Sequence, residues 1–304
     1  MRPTLRQLQY ITAIADTGRF GEAAKALNVS QPSLSAQVAE LEEQLGVLLV
    51  ERGRMGALLT PAGEEVVRRA RLILRDVAEL KASAGSGDHG LSGRLRLGVL
   101  PTVGPHLLPL VTRELHASFP QLRLSVREER TVDLDSHLSS GTFDTVISTA
   151  EDHPETLHAP LFWEKLYICA PPEDPLAKSK GPVALRELAG HDLLTLGQGH
   201  RLDAIIRRIA EMAGARVSHE YEGTSLAAIR QMAEMGAGVA ILPSLYALTE
   251  ARRDPLLTVR RIDDPIAARC ISLIWRDTSP LQPGLKLLAE LLSKAAQQVL
   301  KGER

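Results

Sequence analysis

GRFGEAAKALNVSQPSLSAQVAELEEQLG, residues 18–46, contains two short helical patterns that meet at the tight segment 27–29. The first pattern places apolar residues three and four positions apart across 20–27, as on one face of a helix. The second begins at Ser30, a favourable N-cap, and has Pro32 in its first turn, where a helix tolerates proline. Two short helices joined by such a turn form a helix-turn-helix, whose second helix can lie in the major groove of DNA.

The outer face of the second helix carries uncharged side chains that both donate and accept hydrogen bonds, as groups that read base edges and hold phosphates do. The segment that follows, LLVERGRMGALLT at 48–60, predicts a β-hairpin wing with arginines at its tip, placed for phosphates or the minor groove. A polar surface helix and a solvated hairpin are the simpler alternatives. The predicted DNA contacts are Ser30, Gln31, Pro32, Ser33, Ser35 and Gln37 on the helix and Arg52 and Arg54 in the hairpin.

A long helix is predicted to start at Thr60 and Pro61, an N-cap followed by a proline at the first helical position. Along it, apolar residues alternate spacings of four and three, which is typical of the seam of a two-stranded coiled coil. The same stripe could pack against the chain's own body, but a protein that reads two-fold DNA sites needs two copies at a fixed spacing. The predicted dimerisation residues are Val66, Ala70, Ile73, Val77 and Leu80.

The composition is that of a globular chain: 44% of the 304 residues are hydrophobic, 24% are charged, and the net charge is −1. Because residues 1–90 carry as many acidic as basic side chains, tight DNA binding would need several copies acting together. The two cysteines, Cys169 and Cys270, offer neither a disulfide framework nor metal-ligand spacing, so we expect no metal and no cofactor. With no signal peptide, membrane span or catalytic motif, the sequence predicts a cytoplasmic protein that is not an enzyme.

Residues 84–93, rich in Gly and Ser, are typical of a linker, and strand and helix patterns alternate beyond them. This alternation predicts an α/β fold with a parallel sheet and helices on both faces. The alternation falls into two similar halves, with a crossing near residue 165 and a return near 265, although no sequence repeat relates them. The predicted domains are a winged helix-turn-helix domain at 1–60, a dimerisation helix at 61–84, a hinge at 85–93, and an effector-binding domain at 94–304, divided into subdomain I (94–165 and 266–304) and subdomain II (166–265).

The run AAKALNVSQPSLSAQVAELEEQLGVLLVERGRMGALLTPAGE, residues 23–64, resembles the N-terminal domain of the LysR-type bacterial transcriptional regulators. The resemblance is close over about residues 4–80, where the helix-turn-helix, the wing and the following helix occur in order. It implies a homodimer or homotetramer that binds double-stranded promoter DNA, acts together with RNA polymerase and responds to a small effector. It also implies that the second half has the fold of periplasmic binding proteins, with the effector in the cleft.

Ligands of open parallel sheets bind beyond the carboxyl ends of the strands, often at helix N-termini. Three such segments, LPTVGP, the start of a helix at Thr131, and GTSLAAIR, offer hydroxyls or backbone N–H groups suited to a small anion. Each Thr or Ser could instead simply cap a helix. The predicted effector-binding residues are Pro101, Thr102, Val103, Thr131, His200, Arg201, Thr224 and Arg230.

The second half looks most like the peroxide-sensing subgroup of the family, through LGVLPTVGPHLLP, GTSL and LTLGQGHRL. Where that subgroup has its redox-active cysteine after Gly-His, this chain has Arg201, and the second cysteine is missing from IIRRIAEMAGA. Because a guanidinium cannot replace a thiolate, we expect no thiol switch there and hypothesise that Arg201 binds an anionic metabolite. A surface arginine or a salt bridge with Asp203 is the alternative role. A constitutive regulator, or a redox regulator that uses Cys169 or Cys270, is the alternative function.

Overall fold

The structure is a computed structural model that describes residues 3–53, 56–83, 91–218, 225–254 and 256–301. The chain divides into two compact units. The first consists of Met1–Asp88 together with the short segment Ser139–Thr142, and the second of the remaining residues. No helix within the described ranges is long and apolar enough to cross a membrane.

Three helices build the helix-turn-helix of the N-terminal unit, and side-chain caps mark the start of the first and of the third. Thr4 and Gln7 form a capping box at the start of the first helix. Asn28, with a φ of 53°, makes the turn between the second and third helices, and the Ser30 hydroxyl accepts the Ser33 N–H at 3.3 Å. The predicted N-cap is therefore confirmed. The helices are α1 (Leu5–Thr17), α2 (Phe20–Ala26) and α3 (Gln31–Leu45).

The wing is a two-stranded antiparallel hairpin that packs backbone to backbone against the end of α1. The Ala57 N–H donates to the Gly18 carbonyl at 2.8 Å. A Cβ atom at Gly56 would lie 2.6 Å from that carbonyl oxygen, and its φ of +136° also favours glycine. The tip residues 54 and 55 lie outside the described ranges. The strands are β1 (Val50–Gly53) and β2 (Gly56–Leu59).

The predicted long helix, α4 (Pro61–Ser83), starts at a Thr60 cap, whose Oγ1 accepts the Gly63 N–H at 3.0 Å. Its first turns pack on the helix-turn-helix, where Val67 and Ala70 are buried in the core. Ala70 therefore faces its own domain, and its place in the predicted dimerisation seam needs correction. The other core residues of this unit are Leu8, Tyr10, Ile11, Ile14, Ala23, Ala24, Leu34, Val38, Leu41, Leu49 and Val50.

The C-terminal unit has two hydrophobic cores, and we call the parts around them lobe I and lobe II. In lobe I, parallel strands are joined by helices, and a last strand and a last helix return from the end of the chain. The elements of lobe I are β3 (Gly93–Val99), α5 (Gly104–Ser118), β4 (Leu122–Glu128), α6 (Thr131–Ser139), β5 (Thr145–Thr149), β11 (Ala268–Arg276) and α10 (Gln282–Leu300).

Lobe II repeats the alternation of strands and helices around its own core. Leu245 belongs to the core of lobe I and Tyr246 to that of lobe II, so the short helix that contains them lies where the lobes meet. The elements are β7 (Asp192–Leu194), α7 (Arg201–Ala213), β8 (Arg216–Val217), α8 (Leu226–Glu234), β9 (Val239–Pro243), α9 (Ser244–Thr249) and β10 (Thr258–Arg261).

One long strand, β6 (Thr156–Ala170), joins the lobes. Its first ten residues pair antiparallel with β11, and its last residues pair antiparallel with β9 and β10. The sheet order is β4-β3-β5-β11-β6-β9-β7-β8, with β10 also on β6. The expected α/β fold is confirmed, but the sheet is mixed and not parallel throughout, because β6 and β11 carry the chain between the lobes in opposite directions.

Candidate DNA-binding surface and interlobe cleft

The first turn of α3 presents the predicted DNA-reading residues to solvent. Gln31 and Ser33 are exposed, as are Ser30 and Pro32 at the start of the helix. Ser35 and Gln37 are half-buried, and the Gln37 amide donates to the Glu40 carboxylate at 2.9 Å. The uncharged amide and hydroxyl groups that can reach DNA without breaking a bond are therefore concentrated at the N-terminal end of α3.

The structure describes only part of the predicted wing and seam residues. Arg52 lies in β1, where its backbone pairs with Ala57, and Arg54 lies outside the described residues. On α4, Ile73 is 44% exposed, while Val66 and Val77 are half-buried. For Leu80 the structure describes the backbone only.

A cavity of about 630 Å³ lies between the lobes of the C-terminal unit. Its lining comes from the ends of strands and the starts of helices, where ligands of α/β proteins bind. From lobe I come Pro101, Pro105, His106, Glu128, Glu129, Arg130 and Asp133; His200, Ser225, Leu226, Ala227 and Tyr246 complete the lining.

Two histidines face this cleft as neutral imidazoles. Burial lowers the pKa of His200, and the positive charge of Arg130 lowers it further. Burial likewise lowers the pKa of His106, whose ring makes an edge contact with Tyr246 at 5.1 Å between centroids. His200 is buried, and its Nε2 has no hydrogen-bond partner among the described residues. A ligand with a polar group could complete that bond.

The charged groups of the cleft are mainly acidic. Three carboxylates, those of Glu128, Glu129 and Asp133, line it against one guanidinium. That guanidinium, Arg130, pairs with Asp133 at 2.8 Å, and Glu129 pairs with Arg127 and with His137, each at 2.5 Å. Because both histidines of the lining are neutral, the lining gives an anion little electrostatic stabilisation.

Arg201 is not the free cation that the sequence hypothesis requires. Its Nη1 pairs with Asp152 at 2.8 Å, and its backbone N–H donates to Thr131 Oγ1 at 3.2 Å. Asp152 ends a short 3-10 turn, Ala150–Asp152, that follows β5 of lobe I. The alternative with Asp203 is also wrong, since Asp203 pairs with Arg207 at 2.8 Å. Two bonds therefore tie the N-terminus of α7 to lobe I, and we call them the interlobe latch.

The other predicted effector residues are mostly held inside one lobe. Thr102 is buried and accepts a hydrogen bond from Arg269 at 3.0 Å, and Val103 belongs to the core of lobe I. Arg230 pairs with Asp254 and, at 3.5 Å, with Glu234. Thr224 lies outside the described residues. Of the predicted set, Pro101 and His200 line the cleft.

The acidic wall and the second histidine of the cleft are not among the residues predicted from the sequence. Ligands bind beyond the carboxyl ends of strands, and β4 ends at Glu128, before the predicted Thr131, so residues 128–130 all line the cavity. His106 lies in the first turn of α5, and its sequence neighbourhood carries no signal beyond that position.

Neither cysteine lies at the position after Gly-His, where no thiol switch is expected. Cys169 is fully buried in lobe II, and burial raises the pKa of its thiol to about 12, so it stays protonated at neutral pH. Cys270, on β11, is half-buried. The position after His200 is the ion-paired Arg201.

Two family models match the chain: "Bacterial regulatory helix-turn-helix protein, lysR family" at residues 5–64 and "LysR substrate binding domain" at residues 88–297. The chain is 37% identical over 289 residues to the DNA-binding transcriptional dual regulator OxyR of Escherichia coli (strain K12), covering 95% of this chain and 94% of that protein. It is 36% identical over 302 residues to a probable hydrogen peroxide-inducible genes activator of Streptomyces viridosporus, covering 98% and 96%.

Solved structures show the same architecture. A full-length OxyR from Pseudomonas aeruginosa, with one cysteine changed to aspartate, is similar with a TM-score of 0.76 and 32% identity, covering 96% of this chain and 98% of that one. A Corynebacterium glutamicum OxyR mutant with bound H2O2 is similar with a TM-score of 0.67 and 29% identity, covering 99% and 95%.

Proposed function

We propose that this chain, which belongs to the LysR family of bacterial DNA-binding transcription regulators and is not an enzyme, regulates promoters in the cytoplasm. In this proposal, it binds DNA as a homodimer or homotetramer. A small effector in the interlobe cleft changes how the bound copies are arranged, and hence what RNA polymerase encounters at the promoter.

The exposed first turn of α3 is the observation that carries the DNA-binding part of the proposal. Gln31 and Ser33 expose an amide and a hydroxyl group, and a glutamine can bond the adenine edge with two parallel hydrogen bonds. The positive end of the helix dipole adds attraction for a phosphate, whereas Pro32 has no N–H and the Ser33 N–H already donates to the Ser30 hydroxyl. In this arrangement, Gln31 determines the base preference, and the N-terminal end of the helix binds the phosphate backbone of the DNA.

The near-balanced charge of residues 1–90 supports the requirement for several copies. With no net positive charge, one domain gains little from phosphate contacts, whereas linked copies multiply their affinities. Ile73, exposed on α4, is the apolar residue that supports pairing of this helix with a second copy.

The cleft and the interlobe latch support effector control. The latch spans from lobe II, at Arg201, to Asp152 and Thr131 of lobe I, so a ligand that changes the separation of the lobes would strain or relieve it. Ligand binding can shift such an equilibrium only by binding one arrangement more tightly. The acidic lining supports an uncharged or cationic effector, in place of the anion expected from a free Arg201.

Selection of binding sites from genomic fragments tests the proposal. Wild-type protein should enrich a two-fold symmetric sequence. Gln31→Ala should retain general DNA affinity but lose the preference for one or more bases in each half-site, a loss of about tenfold in discrimination. Gln44→Ala, an amide at the far end of the same helix, is the matched control and should select the wild-type sequence. Failure of the wild type to enrich any sequence would contradict the proposal.

A redox regulator is the second candidate, and the resemblance to hydrogen peroxide-inducible gene activators favours it. Cys270 is the thiol to examine, because it is half-buried while Cys169 is fully buried and protonated. If peroxide acts through Cys270, treatment should modify that thiol, and Cys270→Ser should abolish any peroxide-dependent change in DNA binding. An unmodified Cys270 with unchanged binding would exclude this candidate.

A further inference from the structure

Most of the basic side chains that the structure describes in the N-terminal unit already have a partner inside it. The Arg6 guanidinium donates to the Tyr10 hydroxyl at 2.7 Å. Four others are paired with carboxylates: Lys25 with Glu22 at 3.0 Å, Arg68 and Arg69 with Glu65 at 2.6 Å each, and Arg71 with Asp16 at 2.5 Å. A DNA phosphate that binds one of these four cations must compete with the carboxylate.

Arg19 differs from these residues. It is exposed, and its guanidinium has neither a hydrogen bond nor an ion pair with any residue that the structure describes. It immediately precedes α2, and its side chain makes no capping bond to that helix. Among the described basic side chains of this unit, Arg19 is therefore the one whose charge is available to an external anion without the loss of an internal bond.

Arg19 lies close to both the start of α3 and the wing. A Cβ atom at Gly21, two residues further along the chain, would lie 3.4 Å from Gln31 Oε1, so the Gln31 amide extends over the first turn of α2. A Cβ atom at Gly56 of the wing would lie 3.7 Å from the Arg19 Cγ. The carbonyl of the preceding residue, Gly18, accepts a hydrogen bond from the wing backbone. The two elements predicted to contact DNA thus meet beside Arg19.

This position corresponds to the DNA backbone in a bound helix-turn-helix. There the second helix lies in the major groove, and the first helix crosses the phosphate backbone. Phosphate contacts supply the sequence-independent part of the affinity, and the planar guanidinium of an arginine matches the oxygens of a phosphate. Because residues 1–90 have no net charge, an unpaired cation at this point supplies attraction that the unit as a whole lacks.

We propose that Arg19 binds a phosphate in the half-site that α3 of the same copy reads. The proposal rests on the proposed placement of α3 in the major groove. Because its partner is the DNA backbone, Arg19 contributes to the affinity for every sequence and leaves the base preference to Gln31. Each phosphate contact adds about 0.9 to the slope of log affinity against log salt concentration, so two bound copies add about 1.8.

The salt dependence of DNA binding tests this role. Full-length wild type and Arg19→Gln are titrated with the selected DNA and with a scrambled DNA, between about 50 and 200 mM salt. In Arg19→Gln, the slope on the selected DNA should fall by about 1.8, the affinity should fall on both DNAs, and the protein should select the wild-type sequence from genomic fragments. Arg19→Lys keeps the charge and should keep most of the slope.

Two further variants separate the role of the charge from other effects. Arg19→Ser also removes the charge but supplies a favoured N-cap for α2, so its slope should fall as in Arg19→Gln while the helix start is stabilised. Arg113→Gln, which removes an exposed arginine of α5, is the control for net charge and should keep the wild-type slope.

A wild-type slope in Arg19→Ser, a slope that falls equally in Arg113→Gln, or a changed base preference in Arg19→Gln would overturn the role of Arg19. These results leave the proposed function standing, provided that the wild type still selects a two-fold sequence. A wild type that selects no sequence would contradict the proposed function and, with it, this role.

Discussion

His200 shows how one residue couples the cleft to pH. Burial holds its pKa below the ordinary value of 6.5, and the same holds for His106 and His153. The unfolded chain therefore takes up protons at these positions more readily than the folded chain does. The free energy of unfolding should be highest above pH 6.5 and should fall as the pH drops from 6.5 through the lowered folded pKa values.

His200→Gln should make this dependence shallower. The variant cannot take up the proton at that position in the unfolded state, so less stability is lost between pH 7.5 and 5.5. Urea unfolding followed by tryptophan emission measures it, because Trp163 and Trp275 both lie in the C-terminal unit. His116→Gln, at an exposed position, is the control. A slope in His200→Gln as steep as in the wild type would contradict a buried neutral imidazole.

The latch between Arg201 and Asp152 predicts a small but measurable coupling. The pair is partly exposed, so we expect about 0.5 kcal/mol from a double-mutant cycle of Arg201→Ala and Asp152→Ala in the same urea experiment. The backbone bond to Thr131 survives in all four proteins. Added salt should reduce the coupling energy. Strictly additive effects would mean that the two charges do not interact in solution.

At the scale of elements, the start of α4 depends on one close approach. A Cβ atom at Gly63 would lie 2.1 Å from the Leu49 carbonyl oxygen, and a rigid backbone atom cannot move away as a side chain can. Gly63→Ala should therefore destabilise the N-terminal unit by about 3 kcal/mol. Gly46→Ala meets nothing within 4 Å but has a φ of +69°, and should cost about 1 kcal/mol. Thermal unfolding by circular dichroism compares them, and equal costs would contradict the packing at Leu49.

The exposed face of α4 predicts a loss of self-association when Ile73 becomes charged. Ile73→Asp should weaken dimerisation at least about tenfold and, with it, the affinity for a two-fold DNA site, because a carboxylate would be buried in an apolar seam. Leu5→Asp, at 43% exposure in the same unit, is the matched control for a surface charge. Analytical ultracentrifugation reports the association. A dimer of unchanged stability would remove Ile73 from the seam.

Local signals explain which elements could be predicted. The third helix, α3, was predicted with its start at Ser30, because caps and spacings of three and four act within one helix. The first half of β6 was missed, because its pairing with β11 joins residues more than 100 positions apart in the sequence. The antiparallel direction of β11 also follows from this distant strand pairing. The alternation of strands and helices along the chain does not indicate it.

The same difference between local and long-range signals applies to the candidate binding residues. The DNA contacts predicted on α3 lie on one helix and could be proposed from spacing, whereas the partner of Arg201 is 49 residues away and has no local signal. The buried Glu164 carboxylate pairs with Arg269, which lies 105 positions away in the sequence, and Arg269 also donates to Thr102. The surroundings of Thr102 therefore form only when the chain folds. Which residues a ligand can reach therefore depends on the contacts of the folded chain, and residue type alone does not predict it.

The proposed function requires two copies of α3 that read one DNA site together. Footprinting of the full-length protein on its selected DNA tests this most directly. We predict protection of two half-sites related by two-fold symmetry, with centres about 34 Å apart or a multiple of that distance, and loss of protection at both half-sites in Ile73→Asp at the same protein concentration. Protection of a single asymmetric site, unchanged in Ile73→Asp, would contradict the account.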